Sequence, residues 1–133
     1  FNVIPHIDTF MEDRYTKEEW KMTVETKKIL DPNISISATC VRVPVFVGHS
    51  ESVNVEFNSE VNAKKIRECL EKAPGCKVVD ETKDGGYITP TESSGDFLTY
   101  ISRIRDDHTQ KNSRSKYIYK RNMCQGASVR WTF

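Results

Sequence analysis

The order of periodic segments along these 133 residues predicts an α+β domain: a mixed, largely antiparallel sheet with helices on one face. Three observations carry that expectation. Two stretches, Thr16 to about Leu30 and about Asn62 to Ala73, have the caps and spacing of helices. Several others are rich in valine and alternate with the two-residue period of strands. The connections among the strands are short, which favours antiparallel or mixed pairing.

The first helix opens on Thr16-Lys17-Glu18-Glu19, a capping box with Thr16 as N-cap and Glu19 three residues on. Asp31-Pro32 stops it. Trp20 and Val24, one turn apart, are expected to face the core, with Glu18, Lys21 and Glu25 on another face. Strands follow from near Ser35, through TCVRVPVFVGHSESVNVEF at 39–57. Val41, Val43, Val45 and Val47 alternate there as a strand would, while Pro44 and Gly48 argue against a helix. On a regular strand, Arg42 and His49 would point to opposite faces. They converge only if the chain bends between them, which Pro44 and Gly48 permit.

Beyond the bend a second strand sets Val53, Val55 and Phe57 on one face and Asn54 and Glu56 on the other. The second helix carries the stripe Ala63, Ile66, Leu70, Ala73 and ends at Pro74-Gly75. A short strand from Lys77 to Asp80, a long loop TKDGGYITPTESSG over 82–95, and two strands, Phe97 to Arg105 and Tyr117 to Met123, complete the expectation. The sheet face away from the helices is expected to be apolar and to meet a second copy of the chain.

Length and composition bound the function classes. The 133 residues form one domain, 37% hydrophobic and 29% charged, as an ordinary globular chain does. No apolar run reaches the length of a membrane span and no signal peptide is visible, so no membrane partner is expected. Cys40, Cys69, Cys76 and Cys124 form no CxxC pair; they read as reduced thiols of a cytoplasmic protein, with no metal site. The chain starts at FNVIPHI without methionine, as a piece of a larger protein would. Net charge is +1, yet residues 108–133 hold six basic side chains and no acidic one.

Candidate chemistry sits in three places. Arg42 offers the planar fork that grips a carboxylate or phosphate, or is an arginine on a solvated edge. His49, after Gly48 at the bend, is placed to move a proton in a cleft, or is a surface histidine. Glu18 and Lys21 could hold an amino group and an anion, or form a solvent-facing ion pair. There is no glycine-rich phosphate loop and no GxGxxG after a strand.

FNVIPHI, TKEEWKMTVETKKIL, SATCVRVPVFVGHSESVNVEF, the ITP of the long loop and YISRIRDDHT together resemble, in order, the C-terminal half of aspartate-semialdehyde dehydrogenases. The resemblance covers roughly residues 1 to 109. It implies the C-terminal fold of glyceraldehyde-3-phosphate-dehydrogenase-like enzymes, which completes the active site and forms a homodimer through the sheet. It implies interconversion of aspartyl phosphate and aspartate semialdehyde with NADP, on the route to lysine, methionine and threonine. NADP and the catalytic cysteine would belong mainly to an N-terminal domain absent from this chain. By motif, Arg42 would grip the substrate carboxylate and His49 would be the acid/base. Glu18 would meet the amino group, Lys21 the phosphate, and Asn122 the nicotinamide. The tail, KYIYKRNMCQGASVRWTF, departs from the family, with Arg121 where an acid is expected. Two rival readings remain: a purely structural dimerisation module, or a nucleic-acid module built on the basic tail with Tyr117, Tyr119, Trp131 and Phe133.

Overall fold

The computed structural model describes residues 2–107 in full and the backbone of 116–122 and 126–132. Helix α1 (Lys17–Ile29) begins at Thr16, whose hydroxyl accepts from the Glu19 amide at 3.3 Å. The Glu19 carboxylate accepts in return from the Thr16 amide at 2.8 Å, completing the capping box. Then come β1 (Ser35–Cys40), β2 (Ser50–Glu56), α2 (Ala63–Lys72), β3 (Cys76–Val78), α3 (Pro90–Ser93), β4 (Thr99–Asp106), β5 (Lys116–Asn122) and β6 (Gly126–Thr132). Asn62 caps α2 by accepting from the Lys65 amide at 2.8 Å.

The strands make one six-stranded sheet in the order β1-β6-β2-β5-β4-β3. Three neighbouring pairs are antiparallel, and β2–β6 and β3–β4 are parallel, so the sheet is mixed and largely antiparallel as the sequence predicts. Ala38 of β1 stands opposite Val129 of β6, and Val129 opposite Val53 of β2, so all three positions share one face. Helix α1 packs on β1, and α2 on β3 and β4. Val55 lines an apolar groove with Ile66, Cys69 and Leu70 of α2. The helices therefore cover the Ala38–Val53–Val55 face, where the core also includes Cys40 and Ile101.

Four expectations need correction. Trp20 and Val24 do not face the core; they are 47% and 38% exposed, while Glu19 is 8% exposed. Successive helix residues lie about 100° apart, so turning Glu19 inward turns Trp20 outward. The valines after Cys40 form no strand: the described ladder of β1 with β6 ends at the Cys40–Ala127 pair, and beyond it Arg42 makes a single bridge to Ile4. The chain instead turns at Pro44, where the Val45 amide donates to the Val43 carbonyl at 2.8 Å, and Val45, Phe46 and Val47 are exposed. Along β1 and β2 the sheet face away from the helices is polar rather than apolar, with Ser37 and Thr39 exposed on β1 and Ser52 and Asn54 half-buried on β2. Alternation makes only one side of each strand apolar, and the helices already cover that side.

The sheet also extends further than the sequence predicts. GASVRWT forms a sixth strand, β6, between β1 and β2. The 82–95 loop also contains one helical turn, α3, where the Glu92 carboxylate accepts from the Thr89 amide at 2.8 Å and its hydroxyl at 2.6 Å. Those two bonds, the hydroxyl first, hold the Glu92 carboxyl below its ordinary value.

At the far edge, β4 shifts register between Ser102 and Arg105 around Arg103, which has φ +62°. One carboxylate holds this bulge. Asp80 accepts from the Arg103 amide at 2.6 Å and the Ile104 amide at 3.1 Å, and pairs with Arg67 of α2. Asp80→Ala leaves the amide of buried Ile104 without its acceptor and is expected to cost about 1–3 kcal/mol in urea unfolding. An unchanged midpoint would show that Asp80 does not hold the bulge.

Candidate active site

Strand register gathers the candidate residues at one end of the sheet. Cys40, the last residue of β1, pairs with Ala127 near the start of β6, and Ser50, the first of β2, with Gly126. Glu51 pairs with Arg121 and Tyr100 with Asn122, so β5 ends and β4 begins at this same end. Arg42 lies two residues beyond Cys40, His49 immediately precedes Ser50, and Asn122 closes β5. The bend between Arg42 and His49 thus brings both back to one rim of the sheet.

Two contacts fix where the bend starts. Arg42 exchanges both backbone hydrogen bonds with Ile4, at 2.9 and 3.0 Å, so the N-terminal segment pins its main chain while the guanidinium stays exposed. At the other end of the bend, Gly48 has φ +108°, a conformation open to glycine, and it delivers His49 to the rim with its ring exposed.

Helix α1 reaches the same rim through Glu19. Its second carboxylate oxygen accepts from the Cys40 amide at 2.9 Å. The neighbouring residue Glu18 accepts from Lys21 Nζ at 3.2 Å. That hydrogen bond, and then the Glu18 charge, holds the Lys21 ammonium above its ordinary value. An ammonium has three protons to donate, so Lys21 can bind an anion while keeping Glu18. Arg42, His49, Glu18 and Lys21 therefore offer a fork for a carboxylate, a proton acceptor, a site for an amino group and a cation for phosphate.

Cys40 is present at the rim but chemically quiet. Its thiol is 1% exposed, and burial, reinforced by the Glu19 charge, pushes it up to about 11. It is the small buried residue expected from the sequence. Two clefts lie elsewhere: the apolar groove beside α2, and a polar cleft of about 480 Å³ lined by Asp80, Lys83, Arg103 and Arg105 among others. Neither includes a candidate site residue.

The sequence reading missed two residues that build this rim. Glu19 was legible as half of a capping box, but its bond to Cys40, 21 residues away, was not. Ile4 belonged to a quoted motif with no role attached, because a single isolated bridge leaves no period in the sequence.

The semialdehyde dehydrogenase dimerisation-domain model matches residues 1–118. The chain belongs to this family. It is 47% identical over 129 residues to the aspartate-semialdehyde dehydrogenase of Rickettsia bellii, and 45% identical over 130 residues to that of Aquifex aeolicus. Each match covers 97% of the chain but 38% of the relative, so the domain spans well under half of their length. It also matches the crystal structure of aspartate semialdehyde dehydrogenase II complexed with ASA from Vibrio cholerae. That match has a TM-score of 0.82 and 35% identity, over 96% of this chain and 35% of the other.

The tail of the domain is built into the sheet. Tyr119 stands opposite Val53 and Trp131 opposite Val55 in the register, inside a six-stranded sheet rather than on a free arm. Residues 108–115 and Phe133, part of the basic-tail reading, lie outside the described residues, as does Cys124. Among the described residues, no helix is long and apolar enough to cross a membrane.

Thiol reactivity checks the state of the rim. At pH 8 an alkylating reagent should label exposed Cys69 and leave Cys40 untouched until the protein is denatured, as read by peptide mass spectrometry. Rapid native labelling of Cys40 would contradict its burial.

Proposed function

We propose that this domain is the substrate-binding and dimerisation part of an NADP-dependent aspartate-semialdehyde dehydrogenase. The whole enzyme would convert L-4-aspartyl phosphate and NADPH to L-aspartate 4-semialdehyde, NADP and phosphate. The observation that supports this reading is that the bend returns Arg42 and His49 to one rim, to which α1, carrying Glu18 and Lys21, is hydrogen-bonded through Glu19, in a domain whose relatives bear that enzyme's name.

Each side chain has a task that suits its chemistry. Arg42 grips the substrate carboxylate with two parallel hydrogen bonds. Glu18 accepts from the substrate amino group, and Lys21 neutralises the phosphate. His49 takes the hydroxyl proton as the thiolate adduct of the aldehyde is oxidised, and returns a proton in the reverse direction. The thiolate is assigned to a domain outside this chain, because Cys40, the cysteine at the rim, is buried and its thiol is pushed up to about 11. NADP supplies the hydride exchange and would be held mainly by a domain outside this chain, with Asn122 of β5 contributing at the nicotinamide. The exposed Val45, Phe46 and Val47, between Arg42 and His49, offer that domain an apolar contact.

A homodimer through the sheet is assigned to the face carrying Ser37, Thr39, Ser52 and Asn54. Its polar character makes this a contact of hydroxyls and amides across a two-fold axis rather than an apolar patch. A soluble cytoplasmic enzyme using a small charged substrate fits these residues, with no membrane or nucleic acid required.

Three measurements test the reading. In the full-length enzyme, Arg42→Lys should weaken semialdehyde use by orders of magnitude with NADP affinity near normal, because an ammonium lacks the fork. Normal semialdehyde kinetics in that variant would remove Arg42 from the site. His49→Asn should slow turnover by about 100- to 10,000-fold with the fold intact. A loss that follows thermal stability instead would make His49 structural. The 133-residue chain alone should be dimeric by light scattering and should produce no NADPH from semialdehyde and phosphate. A strictly monomeric chain at micromolar concentration would overturn the dimer, and NADPH production would place the nucleophile within these residues.

A further inference from the structure

Glu19 carries no role in the reaction as described so far, yet it is the covalently nearest neighbour of Glu18 and the hydrogen-bonded neighbour of the strand that leads to Arg42. We infer that Glu19 is a positioning residue for the semialdehyde: its carboxylate sets the spacing between the helix that holds the amino group and the bend that holds the carboxylate. The inference rests on the proposed function above.

The geometry is specific. Glu19 is 8% exposed, and each of its oxygens accepts from a backbone amide in a different element. One takes the Thr16 amide at 2.8 Å at the start of α1, and the other takes the Cys40 amide at 2.9 Å at the end of β1. Two residues past Cys40, the Arg42 backbone is pinned to Ile4 by two hydrogen bonds, so only Val41 separates the Glu19-bound strand end from this second anchor. A ligand held at Arg42 by its carboxylate and at Glu18 by its amino group spans from strand to helix. Its fit then depends on a distance that only the Glu19 side chain bridges by hydrogen bonds among the contacts described.

Neither near neighbour of glutamate can substitute. Glutamine has one acceptor oxygen and would turn its NH₂ toward a backbone N–H, losing one of the two bonds. Aspartate keeps both oxygens and the charge but is one methylene too short to span the same gap. Either change loosens the helix against the strand without touching a ligand-binding atom. A displacement of about 1 Å in such a site costs up to roughly 100-fold in rate.

The test compares four variants of the full-length enzyme that contains this domain. Glu19→Gln and Glu19→Asp should each lower kcat/KM for the semialdehyde by roughly 10- to 100-fold, with a raised KM for it and an unchanged KM for NADP. Thr16→Ala removes the hydroxyl cap but keeps both Glu19 bonds, since the Thr16 amide remains. It should lower Tm and leave the kinetics of the folded enzyme unchanged. Wild-type kinetics in Glu19→Gln below its Tm would overturn the inference and leave Glu19 a stabilising cap only. So would failure of both Glu19 variants to fold, which would assign the residue to the fold. Arg42→Lys separates the two readings: if it is impaired while the Glu19 variants are normal, only the positioning role falls. If Arg42→Lys is itself normal, the proposed function falls with it.

Discussion

A single buried carboxylate joins the two halves of this domain's rim. Glu19 faces inward from α1, where an apolar residue would ordinarily sit, and both its oxygens are spent on backbone amides. Burying a charge is costly unless every lone pair finds a donor, and hydrogen bonds to a charged group are worth roughly 1.5–3 kcal/mol each. The consequence runs through the helix. With Glu19 inward, Glu18 and Lys21 are half-buried and paired at 3.2 Å, and Trp20 is turned to solvent. Burial at this rim, and then the Glu19 charge, raises the Cys40 thiol, so the cysteine nearest the candidate site is held protonated.

The sheet supplies the other half of the arrangement. Candidate residues come from the ends of β1, β2 and β5, and these ends coincide because β6 and β5 flank β2 in register. The bend needs no strand partner of its own. It is anchored at Ile4 on one side and enters β2 on the other, with Pro44 and Gly48 absorbing the change of direction. This is the usual economy of a site on loops set by a rigid scaffold. The strands carry the energy of burial, and the exposed segment between them carries the chemistry proposed for it.

The polar face opposite the helices changes what kind of partner the domain can take. Ser37 and Thr39 on β1, with Ser52 and Asn54 on β2, offer donors and acceptors rather than apolar area. Among the described residues, exposed apolar side chains lie instead on the outer side of α1, at the bend, at Val3, Ile4, Phe10 and Met11 in the N-terminal segment, and at Tyr87, Phe97 and Leu98.

Local chemistry was legible in the residues themselves. Thr16 and Glu19 announced the helix start, Asn62 and Pro74 bounded the second helix, and the alternation around Val53 and Val55 named the buried side of β2. Arg42 and His49 stood out because charge interrupts a valine-rich run, and five motifs in order were enough to point to the family. Each of these signals acts over a few residues, where spacing along the chain equals spacing in space. What the sequence alone did not decide was which partner each segment would find. The valines after Cys40 alternate like a strand but find only the single Ile4–Arg42 bridge, whereas GASVRWT, read as a basic tail, is flanked on both sides and becomes one. Trp20 is the more apolar residue, yet Glu19 is buried, because two backbone amides wait for it 3 and 21 residues away. Pairing and burial are settled by groups distant in sequence, and only the tertiary structure brings those groups within hydrogen-bond reach.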